Sequence, residues 1–352
     1  MKKIALILAI GACCFGANAQ NVAKNEMKQL QAFLSQPAEE AATNAQALKV
    51  TDVKNIASIE GIKVENGHVT EINWKGKKLA GTLDLSGFTA LQKVDVSRNR
   101  LTGVDFTNDA ALYDVNASRN RLTSFSITGC QQIVKLAVNN NRLSEISLSD
   151  APFIKDLNVA GNYLVALDVN SSATLETLNC QSNHLESLTV TDCTALKSLY
   201  AGYNELTTLT LSGLTNLQNL NIDDNKISSM IVSNLPSLSF YVCSDNNMKT
   251  LAVRECPVVL DIVCSYNDLT QFTVTGCPQL QYVDCSYNDL TSLTLSNQTF
   301  LQRLICNNNQ LTMLDVSFDQ NLSYVNCRYN QIVDLRTQAC PNLRMLASEW
   351  NY

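Results

Sequence analysis

Two histidines and thirteen cysteines are the residues of this 352-residue chain best suited to chemistry. A histidine acts as a general base when a nucleophile and an orienting carboxylate stand at fixed distances from it. His68 follows an Asn66-Gly67 turn, and His184 occupies a position that recurs at multiples of 21 residues as Arg100, Glu205 and Gln310. Neither has a partner that spacing alone would hold. Paired carboxylates could support hydrolysis, but the Asp and Glu residues are scattered as on a solvated surface. The chain has no phosphate-cradling glycine loop, zinc motif or nucleophile elbow. No catalytic residue and no cofactor site is expected, and the chain does not read as an enzyme.

The cysteines are more ordered. Cys180, Cys243, Cys264, Cys285, Cys306 and Cys327 share one recurring slot, filled elsewhere by Val96, Val138, Val159 and Ile222. A slot that accepts Val, Ile or Cys is a core position, where a thiol packs as a small apolar group. Zinc would need about four ligands converging tetrahedrally, and a stacked column presents a line, so no metal site is expected. Metal or redox use of the thiols is the alternative. Cys130, Cys193, Cys256, Cys277 and Cys340 form a second column, which the surrounding residues place in a polar turn. Cys256 and Cys277 are neighbours there, although disulfide geometry is too demanding for spacing to decide whether they pair.

These columns exist because the chain repeats. Asparagine recurs every 21 residues at Asn99, Asn120, Asn141, Asn162, Asn183, Asn204, Asn225, Asn246, Asn267, Asn288, Asn309, Asn330 and Asn351. A fixed period of this size marks a solenoid. Apolar residues keep station around each asparagine. Around Asn267 they are Val259, Ile262, Cys264, Leu269, Phe272 and Val274. Ile262 and Cys264 have the two-residue spacing of a short strand with one buried face. A turn leaving such a strand buries backbone groups, and an inward asparagine offers two donors and an acceptor for them. The asparagine series reads as a structural ladder.

The pattern L-x-x-L-x-(V/C)-x-x-N-x-L-x-x-L-x-V resembles that of leucine-rich-repeat proteins over roughly the last three quarters of the chain. The likeness is to secreted bacterial proteins with 21-residue repeats, of the internalin-like and anaerobe surface type. It implies a right-handed solenoid with a parallel β-sheet on one face, mostly β with little helix, and gently curved. Thirteen spacings of about 4.8 Å would make it roughly 60 Å long. Alternations such as Leu209-Thr210-Leu211 and Leu293-Thr294-Leu295 suggest extended segments on the opposite side as well.

Residues 1–19 read as a signal peptide, with Lys2 and Lys3 before an apolar stretch and Ala17-Asn18-Ala19 before the cleavage point. Ile10-Gly11-Ala12-Cys13 offers a lipid-anchoring alternative at Cys13. No later stretch approaches the ~18–20 apolar residues of a membrane span. The expectation is export, to the medium or the outer cell surface, with the periplasm also open. Residues 20–50 have helical composition, with Met27, Leu30 and Leu34 on one face, and are expected to form a docked cap on the first coil, with a tether as the alternative. Residues 51–90 form an amino-terminal cap and degenerate first repeat, with Lys77 where asparagine belongs and Trp74 covering the core. The repeats run over residues 91–352. Near their end Thr337 and Ser348 replace apolar residues, and truncation, blunting by these polar residues or a covering partner would each account for it.

The formal charge is −6, or −8 without Lys2 and Lys3, which argues against a nucleic-acid partner. The strand positions six and four residues before each asparagine should face outward. They are polar in the first coils, then change to Tyr200, Phe240, Val242, Val263, Tyr282, Ile305 and Tyr324. Tyr203, Tyr266, Tyr287, Tyr329 and Trp350 stand beside them. Clustered aromatic and aliphatic side chains on an exposed sheet suit a protein partner. Stacking of tyrosines on sugars, with Asp284 and Asn326 alongside, makes a glycan the alternative. Cross-strand stacking in a structural spacer is a third reading. Arg98, Arg100, Arg119, Arg121 and Arg142 form a separate basic edge, which reads equally as a solvated rim or as an anion site.

Overall fold

The computed structural model describes residues 22–170, 172–295, 298–317, 319–338 and 340–351. The leader expected at residues 1–19 lies outside them. A hairpin opens the main sheet. β1 (Ile62–Glu65) pairs antiparallel with β2 (His68–Asn73), and the left-handed Asn66 and Gly67 make the turn. Thirteen strands of three residues then join in parallel, from Lys93–Asp95 to Met345–Ala347. Each is in register with the residue 21 positions away, so that Leu178 lies between Leu157 and Leu199. The fold is a leucine-rich-repeat β-solenoid. Its central residue per strand points inward, and its core is one continuous apolar column.

Short parallel sheets interrupt the opposite face, such as Ser229–Ser233 with Thr250–Arg254 and Gln271–Thr275. The segments at Leu209–Leu211 and Leu293–Leu295 are not strands. Alternation there reports burial only: the four leucines lie against the core without a paired ladder.

The rung asparagines fasten coil to coil. Asn225 Oδ1 accepts from the Leu206 N–H of the preceding coil at 3.0 Å. Its Nδ2 donates to Ala201 O at 3.1 Å in that coil and to Ile222 O and Asp223 O in its own. Asn99 treats the degenerate first coil alike, accepting from the Lys77 and Leu79 N–H groups at 3.0 Å.

The second cysteine column is not in a polar turn. Cys130, Cys193, Cys256 and Cys277 are buried, and Cys340 is half-buried. Polar neighbours in sequence conceal that this position turns inward. The thiols of Cys130, Cys193 and Cys340 donate to the carbonyls of Phe106, Val169 and Val316 at 2.9–3.0 Å, each 24 residues earlier. This is the same stride by which rung Nδ2 groups reach back.

The amino-terminal segment closes the open end. The helix α1 (Lys24–Ser35) buries Leu30, Phe33 and Leu34, and Phe33 stacks on the buried Trp74 at 5.8 Å between ring centres. Its neighbours also satisfy the edge strand Ala80–Asp84. Asn44 exchanges hydrogen bonds with the backbone of Ala80 at 2.9 and 3.0 Å. Gln36 does the same for Thr82 at 2.8 and 2.9 Å, and Gln29 donates to Ser86 O. Side-chain amides thus take the place of a missing coil.

One buried acid gives the fold a pH dependence. Asp109 is fully buried; its Oδ1 accepts from the Phe88 N–H at 2.7 Å, and its Oδ2 has no partner among the described residues. Burial pushes its carboxyl up to about 8, against an ordinary value of 3.8. A raised carboxyl favours the folded state while protonated. That stability is complete below about pH 4 and is lost as pH rises through 8. Asp109→Asn keeps the acceptor and removes the charge. Thermal melts across pH 4–9 should show the variant matching wild type near pH 4 and exceeding it by ~1–3 kcal/mol near pH 9.

Candidate binding face

Side chains six and four residues before each rung leave the strand on its outer side, and the residue just before the rung takes a left-handed backbone. Phe240, Tyr203, Tyr266, Tyr287 and Tyr329 are exposed, whereas Tyr200, Val242, Val263, Tyr282, Ile305 and Tyr324 are half-buried. Tyr266 and Tyr287 stack with ring centres 4.3 Å apart, and Tyr329 stacks on Trp350 at 5.9 Å. Arg303 lies between Tyr282 and Tyr324, its guanidinium carbon 5.3 and 5.2 Å from their ring centres. Burial first, and Asp284 second, hold the Tyr282 phenol above its ordinary value, so it stays a neutral donor.

Not every aromatic joins this group. Phe240 is flanked across the sheet by Asn219 and Asp261, and Tyr200 by Asn179 and Asn221. Tyr200 belongs instead to a groove of about 370 Å³ on the polar half of the same face. Its walls are Asp114, Lys135 and Asp156 on one side and Asn116, Asn158 and Asn179 on the other, with Ala137 between them. The groove was legible only as a small residue, Ala137, in a column of larger ones. Arg303 was hidden because an isolated arginine reads as a solubilising charge.

The histidines do have neighbours. His68 Nδ1 is 2.8 Å from the buried Glu26, which also accepts from the Val69 N–H at 2.9 Å. This ties α1 to the hairpin. His184 stacks on Tyr163 and lies 3.4 Å from Glu205. Neither pair includes a nucleophile. In the basic edge, Arg100 and Arg121 pair with Glu39 of the amino-terminal segment.

The left-handed position carries information. It is occupied by Asn140, Gly161 and Asn308 in some coils, by Arg98, Arg119, Ser182, Asp224 and Asp245 in others, and by Tyr203, Tyr266, Tyr287, Tyr329 and Trp350 in the rest, with φ between 49° and 65°. Asparagine and glycine take this conformation at low cost, whereas a bulky residue there is strained. Aromatic residues at this position therefore have no backbone rationale.

The profile of the leucine-rich-repeat family matches residues 216–238. No curated protein sequence matches the chain. A leucine-rich-repeat protein of Leptospira interrogans is similar in structure, with 20% identity, a TM-score of 0.60, and coverage of 78% of this chain and 80% of that one. YopM, a leucine-rich effector protein from Yersinia pestis, gives 23% identity and a TM-score of 0.56 over 77% of this chain and 83% of its own. The functional domain of InlJ from Listeria monocytogenes, which includes a cysteine ladder, gives 23% and 0.50 over 83% and 68%. At these identities the likeness is one of fold. Among the described residues no helix is long and apolar enough to cross a membrane.

Strain at the rim is measurable. Tyr203 is 54% exposed and has no stacked partner among the described residues. Tyr203→Asn should raise stability to denaturant by about 1 kcal/mol, through relief of the left-handed backbone. A loss of stability would show that the ring is held by packing.

Proposed function

We propose that this is an exported bacterial surface protein that binds another protein through the carboxyl-terminal half of its strand face. The observation that carries this reading is the set of exposed aromatics in strained left-handed positions. Strain of this kind gathers at functional sites, where contact rather than folding accounts for the residue. The composition of the patch also suits a protein partner. Tyrosine, tryptophan, methionine and arginine are among the residues enriched at interface cores, and Tyr329, Met345 and Trp350 are exposed here. Adhesion or another cell-surface interaction is the role that an exported binding face of this kind would serve, and the leader-like residues 1–19 support export.

The glycan alternative at this patch has less support. Arg303 sits over a face of both Tyr282 and Tyr324, leaving each with less open ring for a sugar. A spacer role accounts for the stacked Tyr266–Tyr287 and Tyr329–Trp350 pairs, but not for the exposed Tyr203, which has no stacked partner among the described residues.

The test is capture of surface proteins by the immobilised chain with its leader removed. Wild type should retain a discrete protein partner. A variant with Tyr266→Ser, Tyr287→Ser and Tyr329→Ser should lose at least about 2 kcal/mol of affinity while keeping its thermal transition. Equal capture by both proteins would count against the patch. Capture by neither would favour the spacer.

A further inference from the structure

The polar half of the strand face carries a second asparagine column, wired differently from the rungs. Asn116, Asn158 and Asn179 each stand four residues before a rung. Their Oδ1 atoms accept from the N–H groups of Ser118, Ala160 and Gln181, two residues on, at 3.2 Å. Such an Asx turn locks the amide by its oxygen and turns the nitrogen outward. A rung Nδ2 such as that of Asn225 has three acceptors; those of Asn116, Asn158 and Asn179 have none among the described residues. The result is a row of oriented, unused donors along the groove, opposite the carboxylates of Asp114 and Asp156.

From this geometry we infer that the groove binds a neutral, extended oligosaccharide. The amide nitrogens would donate to hydroxyl and ring oxygens, and the two carboxylates would accept from hydroxyls. Ala137 leaves room for a ring between Asn116 and Asn158, and Tyr200 closes one end with an aromatic surface. The alternating Asp114, Lys135 and Asp156 charges favour neither an anion nor a cation. Spacing separates a glycan from a peptide. Neighbouring strands are about 4.8 Å apart, whereas same-side carbonyls of an extended peptide recur at about 6.8 Å and fall out of step after one donor. Pyranose rings in an extended chain advance by nearly one strand spacing and turn over at each step. A given hydroxyl therefore returns to the same side at every second strand, the step from Asn116 to Asn158, while a ring of the opposite orientation presents another oxygen to Asn179. The inference rests on other residues than the aromatic patch, so either reading can fail alone.

Calorimetric titration with cellohexaose, mannohexaose and chitohexaose tests it, with maltohexaose as a coiled control and an extended Ser/Thr octapeptide as the competing ligand. At least one extended hexasaccharide should bind. Asn158→Asp and Asn179→Asp keep the Oδ1 that makes the turn and exchange the donor for a charged acceptor, and each should weaken binding about tenfold. Ala137→Leu, which fills the groove without touching a hydrogen bond, should weaken it as well. The patch variant Tyr266→Ser/Tyr287→Ser should bind the sugar unchanged. Binding of none of the three extended sugars would overturn the inference, as would sugar binding indifferent to the asparagine substitutions. Peptide binding that depends on Asn158 and Asn179 would also overturn it, by giving the groove a protein ligand.

Discussion

A single buried carboxamide, repeated, holds the coils together. Leaving each strand strips water from one N–H of the preceding coil and from carbonyls on both sides. The rung asparagine meets all of them with one side chain, as Asn225 does for Leu206, Ala201, Ile222 and Asp223. A buried group left unmatched would cost roughly 1–3 kcal/mol, and the cost would recur at every coil. This explains why the apolar slots tolerate Leu, Ile, Val, Cys or Met while the rung does not vary. Packing accepts many shapes; this hydrogen-bonding task has one short solution.

The same demand appears at the first coil, where no preceding rung exists. Asn44 and Gln36 supply amides to alternate residues of the edge strand, Gln29 supplies one to Ser86 just beyond it, and Phe33 stacks on Trp74 to cover the apolar end. The inward thiols at Cys130, Cys193 and Cys340 reach back along the chain by the stride of the rung Nδ2 groups. Different side chains therefore serve one rule: each coil must complete the backbone of its neighbour.

Legibility in the sequence follows from this physics. The solenoid and its parallel sheet were readable because coil-to-coil bonding forces a strict period. The cap bonds were not, because Gln29, Gln36 and Asn44 have no period and read as solvent-facing polar residues. The inward turn of the second cysteine column was masked by polar neighbours. Side-chain alternation at Leu209–Leu211 reported burial faithfully but not strand pairing. In the candidate face, residue type revealed the exposed aromatics. Their left-handed backbone and the Arg303 sandwich needed coordinates, and so did the outward Nδ2 groups of Asn116, Asn158 and Asn179.

The two proposed binding faces lie where this scaffold is free of packing, with left-handed aromatics on one half and amide donors on the other. Both depend on rungs holding strands at a constant pitch. Native-state hydrogen exchange on Asn225→Ala tests that dependence most directly. Leu206, whose N–H loses its acceptor, and the coils on either side should exchange much faster than in wild type. The coils around Asn120 and Asn309 should keep their protection, as expected where each coil contacts only its neighbours. Unchanged protection at Leu206 would contradict the claim that the rung amide, rather than apolar packing, fastens the coils.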